Sequence, residues 1–164
     1  MSYVQFSRID LGQLYPPFVD RLGTLISEAL AEGVSYWALS GHRDFAEQAK
    51  LYAQGRTTPG AIVTNANAGE SAHNFGLAVD FCRDGLVERA GLQPDWRRES
   101  YTRLGELAAK HGLVWGGTFH NFDGPHVQWG RRITGADMEP LRKAFSAGGL
   151  NAVWAFLDSE ALGG

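Results

Sequence analysis

Two histidines and an aspartate, His73, Asp80 and His126, stand out among the side chains able to do chemistry. His73 lies in SAHNFGLAVD, where Gly76 permits a tight turn and Asp80 follows on a predicted strand. His126 lies in DGPHVQW, at the mouth of another predicted strand, with Pro125 restricting the backbone that leads into it. Two imidazoles and one carboxylate suit zinc, and three protein ligands leave the fourth tetrahedral position open, which separates a catalytic site from a structural one. Zinc lowers the pKa of water from about 15.7 to about 7, so a nucleophile becomes available near neutrality. The chain has no HExxH run, so a loop and two strands, rather than one helix face, have to bring the ligands together.

Such a centre also needs a group that takes a proton from the attacking water and passes it to the leaving amine. Asp123, three residues before His126, is placed to do this without ligating the metal. Arg43, in SGHRDFAEQ at a predicted strand-to-helix junction, is the candidate for stabilising an oxyanion or gripping a substrate carboxylate in bidentate fashion. Taken singly, Asp80 and Asp123 are equally readable as cap or turn residues and Arg43 as half of a surface ion pair. The remaining histidines, His42, His111 and His120, read as surface or satisfied core residues. Strand alternation puts Cys82 on the same face as Asp80, so it is either a further ligand or, as we read it, a small buried hydrophobe.

These residues need a scaffold. Phe18, Leu22, Leu25, Ile26 and Leu30 follow helical spacing, closed by Gly33. Residues 34–40 (VSYWALS) are β-branched and aromatic and predict a strand. Asp44 with Glu47 forms the signature of a capping box opening a helix that stops at Gly55. Residues 56–74 form a long segment rich in Gly, Thr, Asn and Ala, of the kind that is usually functional inside a compact domain. Residues 77–82 (LAVDFC) predict a second strand ending in an Asp84-Gly85 turn. A helix is expected over 96–110, short strands over 113–115 and 126–129, and a helical tail from Asp137 interrupted at Gly148 and Gly149. In that tail, Leu150, Val153, Trp154 and Leu157 make a stripe suited to docking on the core. Helices and strands do not alternate regularly, which predicts an α+β fold with a small, mainly antiparallel sheet flanked by helices.

The 164 residues suffice for one hydrophobic core, so a single domain over 1–164 is expected. Fifteen basic against eighteen acidic residues argue against a dedicated nucleic-acid binder. The single cysteine rules out an intramolecular disulfide. The first residues carry neither a basic region nor an apolar one of signal-peptide type, and no apolar run reaches membrane-spanning length, so a protein without a membrane anchor, made and folded in the cytoplasm, is expected.

The segments SGHRDFAEQAKLYAQGR, SAHNFGLAVDF and WGG…FDGPHVQ resemble, in order, the three blocks of the VanY-like zinc peptidases. This superfamily includes D-Ala-D-Ala carboxypeptidases and the Hedgehog signalling domain. The resemblance runs from about residue 34 to 129 and is strongest to phage and prophage L-alanyl-D-glutamate endopeptidases, which act as endolysins. It implies a Hedgehog/D-Ala-D-Ala peptidase-like fold, Zn2+ held by His73, Asp80 and His126, catalytic Asp123 and Arg43, and Ser71 hydrogen-bonding the substrate. It implies the stem peptide of peptidoglycan as substrate, with the L-Ala–D-Glu bond cut. It further implies a monomer held in the host cytoplasm until a holin releases it to the cell wall. Two departures bear on cleft shape: Thr118-Phe119 stands where relatives often carry Asp-Trp, and Val127 replaces the usual aromatic. The alternatives are a D,D-carboxypeptidase using the same centre, a non-catalytic zinc-centred binding module, and a two-histidine, one-carboxylate iron site. Asp123 beside the third ligand argues against the binding module, which needs no base.

Overall fold

The computed structural model describes residues 4–86, 88–130 and 138–162. Two prolines open helix α1 (Pro16–Ala31), where missing N–H groups cost nothing, and its inward stripe is Phe18, Leu22, Leu25, Ile26 and Ala29. Past its end Gly33 takes a positive φ of 76°. Strand β1 (Tyr36–Ser40) then leads into α2 (Phe45–Ala53), which opens on the expected capping box: Asp44 accepts from the Glu47 N–H, and Glu47 accepts from the Asp44 N–H. Strands β2 (Ala78–Asp84) and β3 (Pro94–Asp95) precede α3 (Thr102–Lys110), followed by β4 (Val114–Trp115) and β5 (His126–Gln128). The final helix, α4 (Glu139–Leu162), is broken at Gly148-Gly149.

The five strands form one antiparallel sheet in the order β1-β2-β5-β4, with β3 pairing with the far end of β2. Alternation along β2 and β5 turns Val79, Phe81 and Val127 to one face. They join the α1 stripe and Leu104, Leu107 and Ala108 of α3 in a single apolar core. Asp80 and His126 therefore lie on the opposite face. The α4 stripe docks as expected: Val153 is buried, Trp154 and Leu157 pack on the core, and the Trp154 indole N–H donates to the Phe75 carbonyl at 3.1 Å. Among the described residues no helix is long and apolar enough to cross a membrane.

Three boundaries differ from expectation. Strand β1 begins at Tyr36 rather than at residue 34, because Val34 and Ser35 still complete the turn out of α1, with Val34 N–H donating to Ala29. Strand β2 runs through Asp84, which the Asp-Gly pair had assigned to a turn; Asp84 instead pairs with Pro94 and donates its N–H to the Ser35 carbonyl. The helix expected over 96–110 is a 3-10 turn (Arg98–Tyr101) leading into α3. The segment 56–74 is irregular for most of its length but ends in a 3-10 turn (Ala72–Phe75) that carries His73. The expected start of the tail at Asp137 lies outside the described residues.

Candidate active site

Sheet register brings the first part of the site together. Ser40 pairs with Asp80, and Asp80 with His126, so β1, β2 and β5 place these three residues in one row. A bulge in β1 between Ala38 and Ser40 bends the strand at that row, a device common beside active sites.

His73 comes from outside the sheet, on its 3-10 turn. The Ser71 hydroxyl accepts from the His73 N–H at 3.3 Å, and Asn74 accepts from the Ser71 N–H at 3.3 Å, which closes a capping box. Gly76 ends the turn at φ 70°, and a methyl there would sit 2.4 Å from the Gln13 carbonyl oxygen, so only glycine fits. The turn is stitched to the β1–α2 loop. The Arg43 N–H donates to the His73 carbonyl at 3.0 Å, and the Asn74 amide donates to the Arg43 carbonyl at 2.9 Å.

The result is a tight constellation. His73 Nε2 lies 3.3 Å from Asp80 Oδ1, and His126 Nδ1 lies 3.1 Å from the same oxygen. One donor atom from each of the three residues lies within 4.8 Å of the other two. Ligands about 2.0–2.1 Å from a shared tetrahedral ion stand about 3.3 Å apart, so the two spacings to Asp80 match those around a zinc-sized cation. Each imidazole is also anchored through its other nitrogen: His73 Nδ1 to the Gly41 carbonyl at 2.7 Å, and His126 Nε2 to Gln128 Oε1 at 3.0 Å. Such second partners orient metal-binding imidazoles. Burial would raise the Asp80 pKa, but the charges and hydrogen bonds of His73 and His126 outweigh it and hold the carboxyl well below the usual range. For His126, burial works toward a lower pKa, and the Asp80 hydrogen bond and charge reverse this, leaving it raised.

Asp123 reaches the site through a folded turn. Its N–H donates to the Gly116 carbonyl at 3.0 Å, its carbonyl accepts from the His126 N–H at 3.2 Å, and the Trp115 indole N–H holds the Gly124 carbonyl at 2.7 Å. The residue is open to solvent, yet the protein packed around its carboxyl, and then the Asp80 charge, push its pKa up. A raised pKa suits a group that takes and returns a proton. Arg43 sits at the edge of the row. Its guanidinium donates to Gln48 Oε1 at 2.9 Å and Ser40 Oγ at 3.2 Å, and one nitrogen lies 3.7 Å from Asp80 Oδ2. Phe119, at one of the two departures noted above, lies over His126 with ring centroids 5.5 Å apart.

The chain can now be compared with known proteins. The model of the family described as VanY, D-alanyl-D-alanine carboxypeptidase, matches residues 12–129. The chain belongs to this family. It is 37% identical over 123 residues to the peptidoglycan L-alanyl-D-glutamate endopeptidase CwlK of Bacillus subtilis, a match covering 70% of this chain and 72% of that protein. The crystal structure of the Serratia marcescens L-Ala D-Glu endopeptidase ChiX superposes with a TM-score of 0.53 at 22% identity, over 72% of this chain and 81% of that one. A mutant of the vancomycin resistance D,D-pentapeptidase VanY in complex with Zn(II) superposes with a TM-score of 0.55 at 20% identity, over 85% and 83% of the two chains. At these identities the two structures establish the shared α+β fold.

The structure brings His73, Asp80, His126, Asp123 and Arg43 to one place. Ser71 lies at the same turn with its oxygen engaged as a cap, which leaves its O–H free to donate. Cys82 is buried and outside the cluster, its Sγ 3.5 Å from the Arg83 carbonyl, in keeping with a small core residue. His111 pairs with Glu28 at 2.9 Å, and His120 is exposed. His42 is half-buried, and its Nε2 has no partner among the described residues. Two residues escaped the sequence reading. Gln48 is fully buried on α2, where its Nε2 donates to the Ala66 carbonyl at 2.7 Å while its oxygen holds Arg43. Gln128 holds His126. The signals were present, since Gln48 follows Arg43 by five residues in the first turn of α2 and Gln128 follows His126 by one pleat repeat, but glutamine carries no charge to draw notice.

Proposed function

We propose that the protein is a zinc-dependent peptidoglycan endopeptidase that hydrolyses the L-Ala–D-Glu bond of the stem peptide. The reading is carried by one observation: two anchored imidazoles and a carboxylate converge with donor spacings of a tetrahedral ion, and Asp123 stands beside them without joining the donor set. The bond assignment follows the 37% identity to CwlK. His73, Asp80 and His126 would hold the zinc, which would supply Lewis-acid polarisation of the scissile carbonyl and a water acidified to near neutral pH. Asp123 takes the proton of the attacking water and returns it to the departing amine. Arg43, fixed by Ser40 and Gln48, donates to the developing oxyanion or to a substrate carboxylate. The Ser71 hydroxyl donates to the substrate.

The family model's own description, and a solved VanYB in complex with D-alanine-D-alanine, favour a second reading, a D,D-carboxypeptidase using the same residues. Mass spectrometry of digested muropeptides separates the two. New L-Ala and D-Glu termini are expected; loss of a terminal D-Ala with the L-Ala–D-Glu bond intact selects the second. Metal analysis of the purified protein is expected to give one zinc per chain, and iron in its place would overturn the mechanism. We also infer a single-domain, monomeric endolysin of a phage or prophage, held in the host cytoplasm and released through a holin. That part rests on the resemblance to the phage branch alone. Expression with and without a holin tests it, with lysis expected only when the holin is present.

A further inference from the structure

Gln128 is 4% exposed, and the pleat of β5 carries its side chain to the same face as His126. Its Oε1 lies 3.0 Å from His126 Nε2, while its own Nε2 is buried with no hydrogen-bond partner among the described residues. A buried amide satisfied at one end is worse for folding than an apolar side chain of its size. Its benefit must then lie at the imidazole. His126 turns Nδ1 toward Asp80 and the donor cluster. That nitrogen has a lone pair to offer a cation only when the ring proton rests on Nε2, and a proton buried there needs an acceptor. Gln128 Oε1 is that acceptor.

His73 solves the same problem differently. Its Nδ1–H donates to the backbone carbonyl of Gly41, so Nε2 faces the cluster without help from any side chain. The two imidazoles present opposite nitrogens, and only the choice at His126 depends on a replaceable residue.

We infer that Gln128 is a positioning residue that holds His126 in its Nε2–H tautomer and so turns Nδ1 toward the divalent cation. The inference rests on the zinc reading proposed above. It is tested with Gln128→Met, which keeps the volume and removes the acceptor, and Gln128→Glu, which restores an acceptor. Three measurements are made: the zinc dissociation constant by competition with a chromophoric chelator, the His126 Nε2–H resonance and its solvent exchange by 15N–1H NMR on the zinc-loaded protein, and thermal unfolding of the metal-free protein.

Gln128→Met is expected to bind zinc about 10–100-fold more weakly, to lose the slowly exchanging His126 Nε2–H resonance in the zinc-loaded protein, and, metal-free, to unfold at the wild-type temperature or above. Gln128→Glu is expected to bind zinc within a few-fold of wild type. The inference is overturned by wild-type zinc affinity in Gln128→Met, by an unchanged His126 Nε2–H resonance and exchange rate in that variant, or by both variants losing stability and affinity together, which is the mark of ordinary packing. A wild type that holds no zinc would instead overturn the proposed function, whereas zinc bound by the wild type and equally by Gln128→Met would overturn the inference alone.

Discussion

Replacing Gly116 with alanine adds one methyl group to the floor of the site. Its Cβ would lie 2.4 Å from the Asp123 carbonyl oxygen, 2.9 Å from His126 Cβ and 3.1 Å from Asp123 Cβ. None of these is the tip of a flexible side chain. To reach even the tight limit of 3.0 Å, the Asp123 oxygen must retreat by at least about 0.6 Å. His126 is pinned in the β5–β2 ladder opposite Asp80, so the turn carrying Asp123 has to give. Its retreat pulls on the hydrogen bonds that join it to Gly116 and His126. Misplacing a catalytic group by about 1 Å costs about 100-fold in rate, and overpacking costs about 1–3 kcal/mol of stability. Gly116→Ala is therefore expected to lower kcat/KM on purified muropeptides by about 30–100-fold while the protein stays folded and retains zinc. Gly33→Ala serves as the control, because its Cβ meets nothing within 4 Å and the change costs only the left-handed strain at φ 76°, about 1–2 kcal/mol. Should Gly116→Ala keep kcat/KM within three-fold of wild type, the placement of Asp123 described above is wrong.

Other perturbations address the remaining links. Asp123→Asn keeps the shape of the side chain and removes the base, so hydrolysis of sacculi should fall by at least about 100-fold with zinc content unchanged; retained activity would remove Asp123 from the mechanism. In the metal-free protein, His126 is raised, so its contribution to stability is complete below the ordinary histidine value of about 6.5 and is lost as pH rises through the higher folded value. Asp80 is depressed, so its contribution is present above the ordinary carboxylate range and is lost as pH falls. Calorimetry should therefore show the Tm of the metal-free protein declining on the alkaline side, and Asp80→Asn should flatten that decline. An equal decline in the variant would mean that the coupling is absent. Zinc selects the deprotonated imidazole, so its affinity should weaken as pH falls, which titration at pH 5 and pH 8 would check. Trp154→Phe removes the hydrogen bond to Phe75 and should cost about 1 kcal/mol. Trp154→Ala also empties part of the contact between α4 and the turn carrying His73, and should cost about 3–5 kcal/mol in denaturant unfolding.

Local features of this chain were readable from residue order because the forces behind them act within a turn or two. The α1 stripe, the stop at Gly33, the Asp44–Glu47 capping box and the break at Gly148-Gly149 all depend on spacing of four residues or fewer. The candidate metal ligands were readable too, because histidine and aspartate are donor side chains whatever their neighbours, and these three stand beside Gly- and Pro-marked turns. Asp84 shows where local reading fails: Asp-Gly signals a turn, but pairing with β3 and the bond to Ser35 hold the residue in the strand.

Tertiary structure decided everything that depends on register. Nothing in residue order says that Ser40, Asp80 and His126 fall in one row, since a slip of one residue would turn each to the other face of the sheet. The same holds for the uncharged residues around them. Gln48 and Gln128 lie only five and two residues from the groups they hold and gain meaning only once the fold buries those pairs at the site, and Ser71 becomes a cap only when its turn forms. Residue types determined which chemistry was available. Long-range contacts, which spacing along the chain does not encode, brought the histidines together: strand pairing sets His126 opposite Asp80, and the Gly41 carbonyl orients His73 on its 3-10 turn.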